Sequence, residues 1–549
     1  IRSGRATPDR IALFGMAVAG AALLSAGFNL LQRRQMIVAS RQIEAEIRAD
    51  VFRHLATLDR NFYDRSRTGD LMNRLATDLG SIREVLGPGI NMGSRTTLMA
   101  VGALVAMFTL RPSLAALVAV AAPLMVGVAT VMRRLVAGRY QAAQVQLSAI
   151  AAQAQENFSG ARVVRGYALE ARELAAFDRM NARYIRLNLS LASVEAALPS
   201  VMGALLAGAW LTILLVGGRA VVYGEGLTVG QYVAFTSYLT MLAGPVVDIG
   251  RLLTIYQRGA TSWARLGELL DVLPQVQDSG RTDRSIKGVR GDLDFRKVTL
   301  RAGGATLLED VNLRVPAGTS VGITGRTGAG KSVLASLITR QVDPTEGQVL
   351  LDGHDLREVP LRVLRENVSV VPQEPFLFSE SIADNIAFGL PPRPDGKPDL
   401  ETVRWAARLA NLDRDVQSFP AGYDTMLGER GVTLSGGQRQ RTAIARAIAR
   451  RPPLLVLDDA LSAVDTETER GILDGLRNAL SQGSLAASTV VLVSHRASTL
   501  RLADQVVVLE RGRVVEAGRP DDLLAAGGHY AELVRRQSQA ADTDPDEEA

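Results

Sequence analysis

The stretch SVGITGRTGAGKS, from Ser320 to Ser332, contains a short apolar strand, a glycine-rich turn and the start of a helix. Its turn matches the pattern G-x-x-x-x-G-K-[ST] of phosphate-binding loops. Glycines let backbone N–H groups curl round a phosphate, Lys331 can contact the β and γ phosphates, and the Ser332 hydroxyl can coordinate Mg²⁺. A glycine-rich turn without function is the alternative, and the Lys-Ser pair after a strand argues against it. The loop residues are Gly325, Arg326, Thr327, Gly328, Ala329, Gly330, Lys331 and Ser332.

The stretch LLVLDDALSAVD, from Leu454 to Asp465, is an apolar strand that ends in two adjacent carboxylates. In open α/β sheets, ligands bind at the carboxyl ends of the strands. We therefore expect Asp458 to support Mg²⁺ and Asp459 to face the γ-phosphate. A further apolar strand, Thr489 to Ser494, leads to His495, which would reach the same edge. An isolated histidine is more often a surface residue, but this position favours a catalytic one.

The stretch LSGGQRQR, from Leu434 to Arg441, precedes a helical sequence and has the composition of a second anion site. A serine hydroxyl, two glycines and a helix N-terminus all favour negative charge. An ordinary glycine-rich start of a helix is the alternative. Because one phosphate loop needs no second one in the same chain, we expect this segment to contact another subunit's nucleotide. Its contact residues would be Ser435, Gly436, Gly437 and Gln438.

The 549 residues are too many for one ordinary core, and the two halves differ in composition. The net charge of +5 could suggest nucleic acid, but the excess arginines flank apolar runs, as in membrane proteins with positive cytoplasmic loops. We therefore expect no nucleic-acid partner. The absence of cysteine excludes disulfides, thiolate metal sites and cysteine nucleophiles. The expected segments are a transmembrane domain 1–275, a linker 276–290, a nucleotide-binding domain 291–535 and an acidic tail 536–549.

Five apolar runs are long enough, or nearly so, to cross a bilayer core of about 30 Å, which takes about 20 helical residues. The runs are 11–31, 96–110, 113–132, 196–218 and 227–247. Soluble core helices are the alternative for one run, but five runs with arginine flanks argue against it. The arginines place segments 33–95 and 133–195 in the cytoplasm. A chain with five spans whose last span ends in the cytoplasm must begin outside. This favours a six-helix pattern, with its first helix absent before Ile1, over a five-span protein.

The motifs GRTGAGKS, LSGGQ, LLVLDD and SHR, in this order, resemble the ATP-binding cassette family, and the whole chain resembles an exporter half-transporter. The resemblance implies an all-α transmembrane domain followed by an α/β P-loop ATPase domain that uses ATP and Mg²⁺ for transport by alternating access. In this family two ATPase domains close head to tail, so that each ATP lies between one chain's phosphate loop and the other's LSGGQ signature. It also implies a multi-pass protein of the inner (cytoplasmic) membrane, with the ATPase domain in the cytoplasm.

Other residues take their roles from the resemblance alone. Gln373 in PQEPFLFS corresponds to the Q-loop glutamine that contacts Mg²⁺, and Asp465 lies in the D-loop. The sequence GERG, residues 428–431, resembles the exporter X-loop. The stretches 62–71, FYDRSRTGDL, and 163–173, VVRGYALEARE, resemble the loops whose short coupling helices dock on the ATPases.

Two positions depart from the family pattern. The residue after the Walker B aspartate is usually a glutamate that polarises water, and here it is Asp459, one methylene shorter. Ala302 stands roughly where an aromatic stacks on adenine. A weak Walker B site beside an intact signature resembles one subunit of bacterial heterodimeric multidrug exporters, including the Thermus type, which is similar to the antigen-peptide transporter. The alternative is that backbone or water adjusts and that Asp459 still supports hydrolysis.

The expected partners are a second, unlike half-transporter subunit, membrane lipid, and a small hydrophobic, amphipathic or peptide substrate. Apolar helices rich in small residues suit a drug-like or lipid-like cargo. A homodimeric exporter would use the same motifs. A membrane-anchored ATPase or an ATP-gated channel without transport is the other alternative.

Overall fold

The chain forms two compact units. The computed structural model describes residues 8–223, 227–391, 393–394, 397–428, 434–483, 485 and 488–542. The first unit contains Ile1–Ala56 and Ser66–Val272, and the second contains Thr57–Arg65 and Leu273–Ala549. The first unit is helical and the second is an α/β domain with two sheets, which confirms the predicted fold class.

The helices of the first part of the chain follow the apolar runs. In chain order they are α1 (Pro8–Thr57), α2 (Arg60–Arg65), α3 (Thr68–Asn73), α4 (Leu79–Glu84), α5 (Ile90–Leu110), α6 (Pro112–Ser159), α7 (Ala161–Gly166), α8 (Glu170–Val222) and α9 (Val229–Leu270). The five runs form parts of α1, α5, α6, α8 and α9. Among the described residues, three helical stretches are long and apolar enough to cross a membrane, namely 12–57, 68–110 and 170–222.

Tight packing of small and apolar residues holds the first unit together. One buried cluster includes Met107, Ala115, Ile213 and Phe235. Buried charges in this unit are paired, as they must be to offset their desolvation. The buried Asp78 carboxylate, for example, pairs with Arg265 at 2.6 Å and accepts a hydrogen bond from Ser262 at 2.7 Å.

Two sheets form the framework of the second unit. Its strands are β1 (Leu293–Ala302), β2 (Ala305–Val315), β3 (Ser320–Gly325), β4 (Glu346–Leu351), β5 (His354–Asp355), β6 (Val368–Val371), β7 (Leu454–Asp458), β8 (Thr489–Val493), β9 (Gln505–Glu510) and β10 (Arg513–Gly518). One sheet is antiparallel with the order β2-β1-β4-β5, and the other has the order β10-β9-β3-β8-β7-β6. In the second sheet only the β9–β10 pair is antiparallel among the described strands.

Helices cover the larger sheet and bury its central strands. They are α10 (Lys331–Ile338), α11 (Leu361–Asn367), α12 (Ile382–Ala387), α13 (Leu400–Leu409), α14 (Asp413–Ser418), α15 (Gly436–Ala449), α16 (Thr466–Gln482), α17 (Ala497–Leu500), α18 (Pro520–Ala526) and α19 (His529–Asp542). Burial on both faces explains why β7 and β8 are continuous apolar runs in the sequence. Because β8 pairs in parallel with both β3 and β7, residues that follow these three strands meet at one edge.

Part of the predicted acidic tail, residues 536–549, is helical. Helix α19 continues to Asp542, so residues 536–542 are helical. Tyr530 near the start of α19 shares an apolar cluster with Leu500 and Val506, which anchors the helix to the domain. Residues 543–549 lie outside the described residues.

Candidate functional site

The predicted phosphate loop connects β3 to α10. Gly330 ends the loop with a φ of 99°, and a Cβ there would lie 2.8 Å from the Leu308 side chain, so that glycine is required. The Lys331 side chain is buried, and its Nζ donates to the carbonyls of Gly325 at 2.9 Å and Arg326 at 3.0 Å. The ammonium group therefore lies within the curve of the loop.

Two carboxylates from the end of β7 face this loop. The Ser332 hydroxyl donates a hydrogen bond to Asp458 at 3.1 Å. Burial raises the pKa of Asp458, the hydrogen bond from Ser332 lowers it, and the neighbouring Asp459 carboxylate raises it. Burial lowers the pKa of Lys331, whereas Asp459 and Asp458 raise it. A hydroxyl, an ammonium group and two carboxylates thus meet at one place, which suits a polyanion bound together with a cation.

The backbone of Asp459 is held in an unusual conformation. Its φ is 49°, in the left-handed region that aspartate tolerates better than most residues. Its N–H donates to the Val493 carbonyl at 2.9 Å, and its carbonyl accepts from the Ser462 hydroxyl at 2.9 Å. The Gln373 amide nitrogen donates to the Asp459 carboxylate at 3.4 Å. These contacts fix where the carboxylate can reach.

His495 lies two residues beyond β8 and is half-buried. Its carbonyl accepts a hydrogen bond from the Gln537 side chain at 2.5 Å. Burial lowers the pKa of His495, the charge of Lys331 lowers it further, and the Asp459 carboxylate opposes both. The imidazole is therefore close enough to the phosphate loop and the carboxylates to be influenced by their charges.

Acid is expected to destabilise the second unit through His495. Because folding lowers the pKa of this histidine, its contribution to stability is present above the ordinary value of 6.5 and is lost as pH falls through the folded value. Between about pH 7 and pH 5, the unfolding temperature of the purified protein should fall more steeply in wild type than in His495→Gln. His354→Gln, at an exposed histidine on β5, is the control and should keep the wild-type slope. Equal slopes in His495→Gln and wild type would contradict this expectation.

The LSGGQ segment forms the start of α15, where Ser435 is the N-cap. The Ser435 hydroxyl accepts from the Gln438 N–H at 3.2 Å, and the Gln438 side chain accepts from the Ser435 N–H at 3.0 Å. This capping box could have been recognised in the sequence from the spacing of the two residues. Ser435 is exposed, and Gly436 and Gly437 are partly exposed, so the segment presents its glycine backbone at the surface.

The segment after the two aspartates connects the site to α15. The Gln440 side chain donates to Ser462 at 3.0 Å and accepts from the Ala463 N–H at 2.9 Å. Asp465 is the N-cap of α16, since its carboxylate accepts from the Thr468 N–H at 2.9 Å. Of the X-loop sequence, residues 429–431 lie outside the described residues.

An ion pair with a buried carboxylate, which the sequence did not indicate, supports the same segment. The Glu469 side chain, 1% exposed, pairs with Arg496, the residue after His495. Arg496 also donates to the carbonyls of Ser462 and Val464, both at 3.0 Å. A charged residue in the first turn of a helix is common at protein surfaces, so the sequence carried no signal that Glu469 would be buried.

The two stretches compared with coupling loops form short helices. In the first, α2 and α3 are separated by a break at residues 66–67, and α2 belongs to the second unit. There the Arg60 guanidinium donates to Gln341 at 2.8 Å, and Asn61 donates to Gln275 at 3.1 Å. In the second, α7 is bracketed by the aromatic residues Phe158 and Tyr167, which are 81% and 76% exposed.

Comparisons with known proteins agree with these features. Residues 2–246 match the family model described as ABC transporter transmembrane region, and residues 308–462 match the one described as ABC transporter. The mitochondrial potassium channel ATP-binding subunit of Xenopus tropicalis is 34% identical over 94% of this chain and 73% of its own length. The ATP-dependent lipid A-core flippase of Methylococcus capsulatus is 34% identical over 90% of this chain and 81% of its own.

A solved structure is also similar over nearly the whole length. It is described as a bacterial Atm1-family ABC exporter with ATP bound, and it superposes with a TM-score of 0.80 at 28% identity. The superposition covers 97% of this chain and 93% of the other. The likeness therefore includes both units of the chain.

Proposed function

The chain belongs to the ABC transporter family, and we propose that it is the subunit with the slow ATP site in a heterodimeric exporter of hydrophobic or amphipathic substrates. As a member of this family, it is a membrane-spanning exporter whose ATPase is coupled to transport. The observation that carries the finer proposal is Asp459, a short carboxylate on a held backbone in a chain whose LSGGQ signature is complete.

ATP is assigned to the phosphate loop, residues 325–332, and Mg²⁺ to Ser332, Asp458 and Gln373. The hydroxyl and the carboxylate lie 3.1 Å apart, and both are oxygen ligands of the kind that Mg²⁺ prefers. Gln373 donates through its amide nitrogen and can coordinate through its amide oxygen. When bound, Mg²⁺ would neutralise charge on the β and γ phosphates.

Asp459 is proposed to be a poor general base, with Gln373 and His495 arranged around the same γ-phosphate. Its main-chain N–H and carbonyl are both hydrogen-bonded, so the backbone cannot move forward to compensate for the missing methylene. A misplacement of about 1 Å can lower a rate on the order of 100-fold. This chain would therefore bind ATP and hydrolyse it slowly.

The signature is proposed to complete the partner subunit's ATP site. The Ser435 hydroxyl accepts one hydrogen bond and still has its O–H to donate to a phosphate. The exposed aromatic residues Phe158 and Tyr167, which flank α7 in the sequence, are available for contact with a second subunit. The partner is proposed to carry glutamate at the position of Asp459, so that one of the two sites is competent.

The cargo is proposed to be drug-like, lipid-like or peptide-like, and the membrane to be the inner (cytoplasmic) membrane. The flippase relative supports a lipid-like cargo. A second candidate, an ATP-binding subunit of a channel complex, is favoured by the name of the Xenopus relative. Vigorous ATP turnover by this chain without an unlike partner would favour a homodimeric exporter instead.

Lys331→Ala is expected to lower the ATP affinity of this chain's site at least about ten-fold, because hydrogen bonds to charged groups contribute about 1.5 to 3 kcal/mol. ATP-dependent accumulation of a fluorescent amphipathic dye or a labelled phospholipid in inverted vesicles should fall with it. Lys287→Ala, at an exposed lysine in the segment before β1, is the control. ATP hydrolysis without accumulation of dye, lipid or peptide would contradict export and favour the channel subunit.

A further inference from the structure

A cavity of about 950 Å³ in the second unit joins the phosphate loop to helix α2. Ser332, Gln373 and Asp458 line one side of it, and Arg60, Arg65 and Ala302 line another. Its volume lies within the usual range for small-molecule sites. A ligand bound at the phosphate loop can therefore extend toward α2.

Part of the lining of this cavity is apolar, but it supplies no aromatic ring to stack on a base. Leu300, Leu307 and Val333 provide apolar surface. None of the described residues that line the cavity is aromatic. Ala302 is the last residue of β1, and its methyl group leaves room there. A guanidinium is the planar cation that stacks best on a base, and three line the cavity, those of Arg60, Arg65 and Arg301.

Arg60 is the guanidinium held by hydrogen bonds from two of its nitrogens. These donate to Gln341 at 2.8 Å and to Asp64 at 3.4 Å, and 60% of the side chain is exposed. Arg301 pairs with Glu346 at 2.8 Å, and the Arg65 side chain makes no hydrogen bond or ion pair within the described residues. A guanidinium held by its edge loses little freedom when a ring stacks on its face.

Arg60 and Asp458 line the same cavity. The helix itself is held to the domain, because Asp59 accepts from the Gln275 N–H at 2.7 Å and Asn61 donates to the Gln275 side chain at 3.1 Å. Helix α2 is thus a fixed wall of the cavity.

We propose that α2 forms one wall of the adenine subsite and that the Arg60 guanidinium stacks on the adenine of bound ATP. This inference rests on the proposed function of the phosphate loop. It assigns base recognition to a segment that lies between α1 and α3, in the part of the sequence that is otherwise membrane domain. Nucleotide binding would then act directly on the loop that leads into those helices.

The test compares ADP with pyrophosphate, which lacks the base. Affinities are measured by calorimetry on the purified full transporter, and photolabelling with 8-azido-ADP identifies the chain whose site has changed. Arg60→Ala should weaken ADP binding about two- to five-fold, the size of an exposed cation–π contact, and leave pyrophosphate unchanged. Arg362→Ala, at an exposed arginine paired with an acidic residue four positions on, is the matched control.

A second substitution keeps the test valid if Arg60→Ala disturbs folding. Ala302→Tyr places a ring in the same cavity and should raise ADP affinity about five-fold in the Arg60→Ala background, but less in wild type, where the base already has its partner. Equal gains in both backgrounds would overturn the inference. So would an unchanged ADP affinity in Arg60→Ala, an equal loss for ADP and pyrophosphate, or a base-selective loss in Arg65→Ala or Arg301→Ala instead.

The variant Lys331→Ala distinguishes an error in the proposed nucleotide site from an error in the adenine subsite alone. It should weaken ADP and pyrophosphate together, because it removes a phosphate contact. If it changes neither affinity, the proposed nucleotide site is wrong and this inference is wrong with it. If it weakens both while Arg60→Ala has no effect on ADP, only the assignment of the adenine subsite is overturned.

Discussion

Replacing Asp459 with glutamate is expected to raise ATP turnover at this chain's site on the order of 100-fold. The backbone is held by its hydrogen bonds to Val493 and Ser462, so the added methylene, about 1.5 Å of bond length, goes toward the γ-phosphate. Turnover is measured in the purified transporter after glutamine replaces the catalytic glutamate proposed for the partner. The remaining hydrolysis then reports this chain's own site.

The same substitution should slightly weaken folding, which gives an independent check of the geometry. Asp459 has a φ of 49°, and glutamate is less tolerant of the left-handed region than aspartate, so the expected loss is about 1 kcal/mol. Asp474→Glu, at an exposed aspartate on α16, adds a methylene away from the site and should change neither quantity. Unchanged turnover in Asp459→Glu would mean that the reach of the carboxylate is not what limits this site.

The proposed difference between the two ATP sites can also be tested by one substitution in each subunit. In an unlike pair, Asp459→Ala here should lower total ATPase activity little, whereas glutamine in place of the partner's glutamate should remove most of it. Similar losses from both would contradict the heterodimeric proposal. They would agree with two equivalent sites.

Glu469→Ala is expected to destabilise the second unit by about 3 kcal/mol, because it removes a buried carboxylate and leaves the donors that contact it without their acceptor. The Glu469 carboxylate accepts from Ser498 at 2.9 Å and from Thr499 at 2.6 Å in addition to its pair with Arg496. The loss should lower the unfolding temperature by about 5 to 10 °C. Thermal unfolding of the purified transporter measures it.

Two variants separate the buried charge from its place on the helix. Glu467→Ala removes an exposed acidic residue from the same first turn of α16 and should cost at most about 0.5 kcal/mol. Glu469→Gln keeps an acceptor for Thr499 but loses the charge, so an intermediate loss is expected. If Glu469→Ala unfolds at the wild-type temperature, the pair with Arg496 does not stabilise the domain.

Residues close together in the sequence could be assigned to the site without a structure. The phosphate loop and the LSGGQ segment are contiguous, and each combines a strand or helix end with glycines whose backbone approaches an anion. The gathering of Asp458 and His495 at one edge also followed from the sequence, because buried parallel strands are continuous apolar runs.

Other features depended on contacts between distant parts of the chain. The Asp459 N–H donates to the Val493 carbonyl at the end of β8, and this contact has no sequence pattern. Glu469 resembles any acidic residue in a first helical turn until Arg496 is placed beside it. The Ser435 capping box is the exception, since its spacing was readable from the sequence.

By itself the sequence determined a helical membrane unit followed by an α/β nucleotide-binding unit, because hydrophobic periodicity and glycine-rich loops are local properties of the chain. Only the tertiary structure decided that residues 57–65 belong with the second unit and that Arg60 shares a cavity with Ser332 and Ala302. Such neighbours arise when segments far apart in the chain pack together. Local sequence propensities do not predict which distant segments pack together.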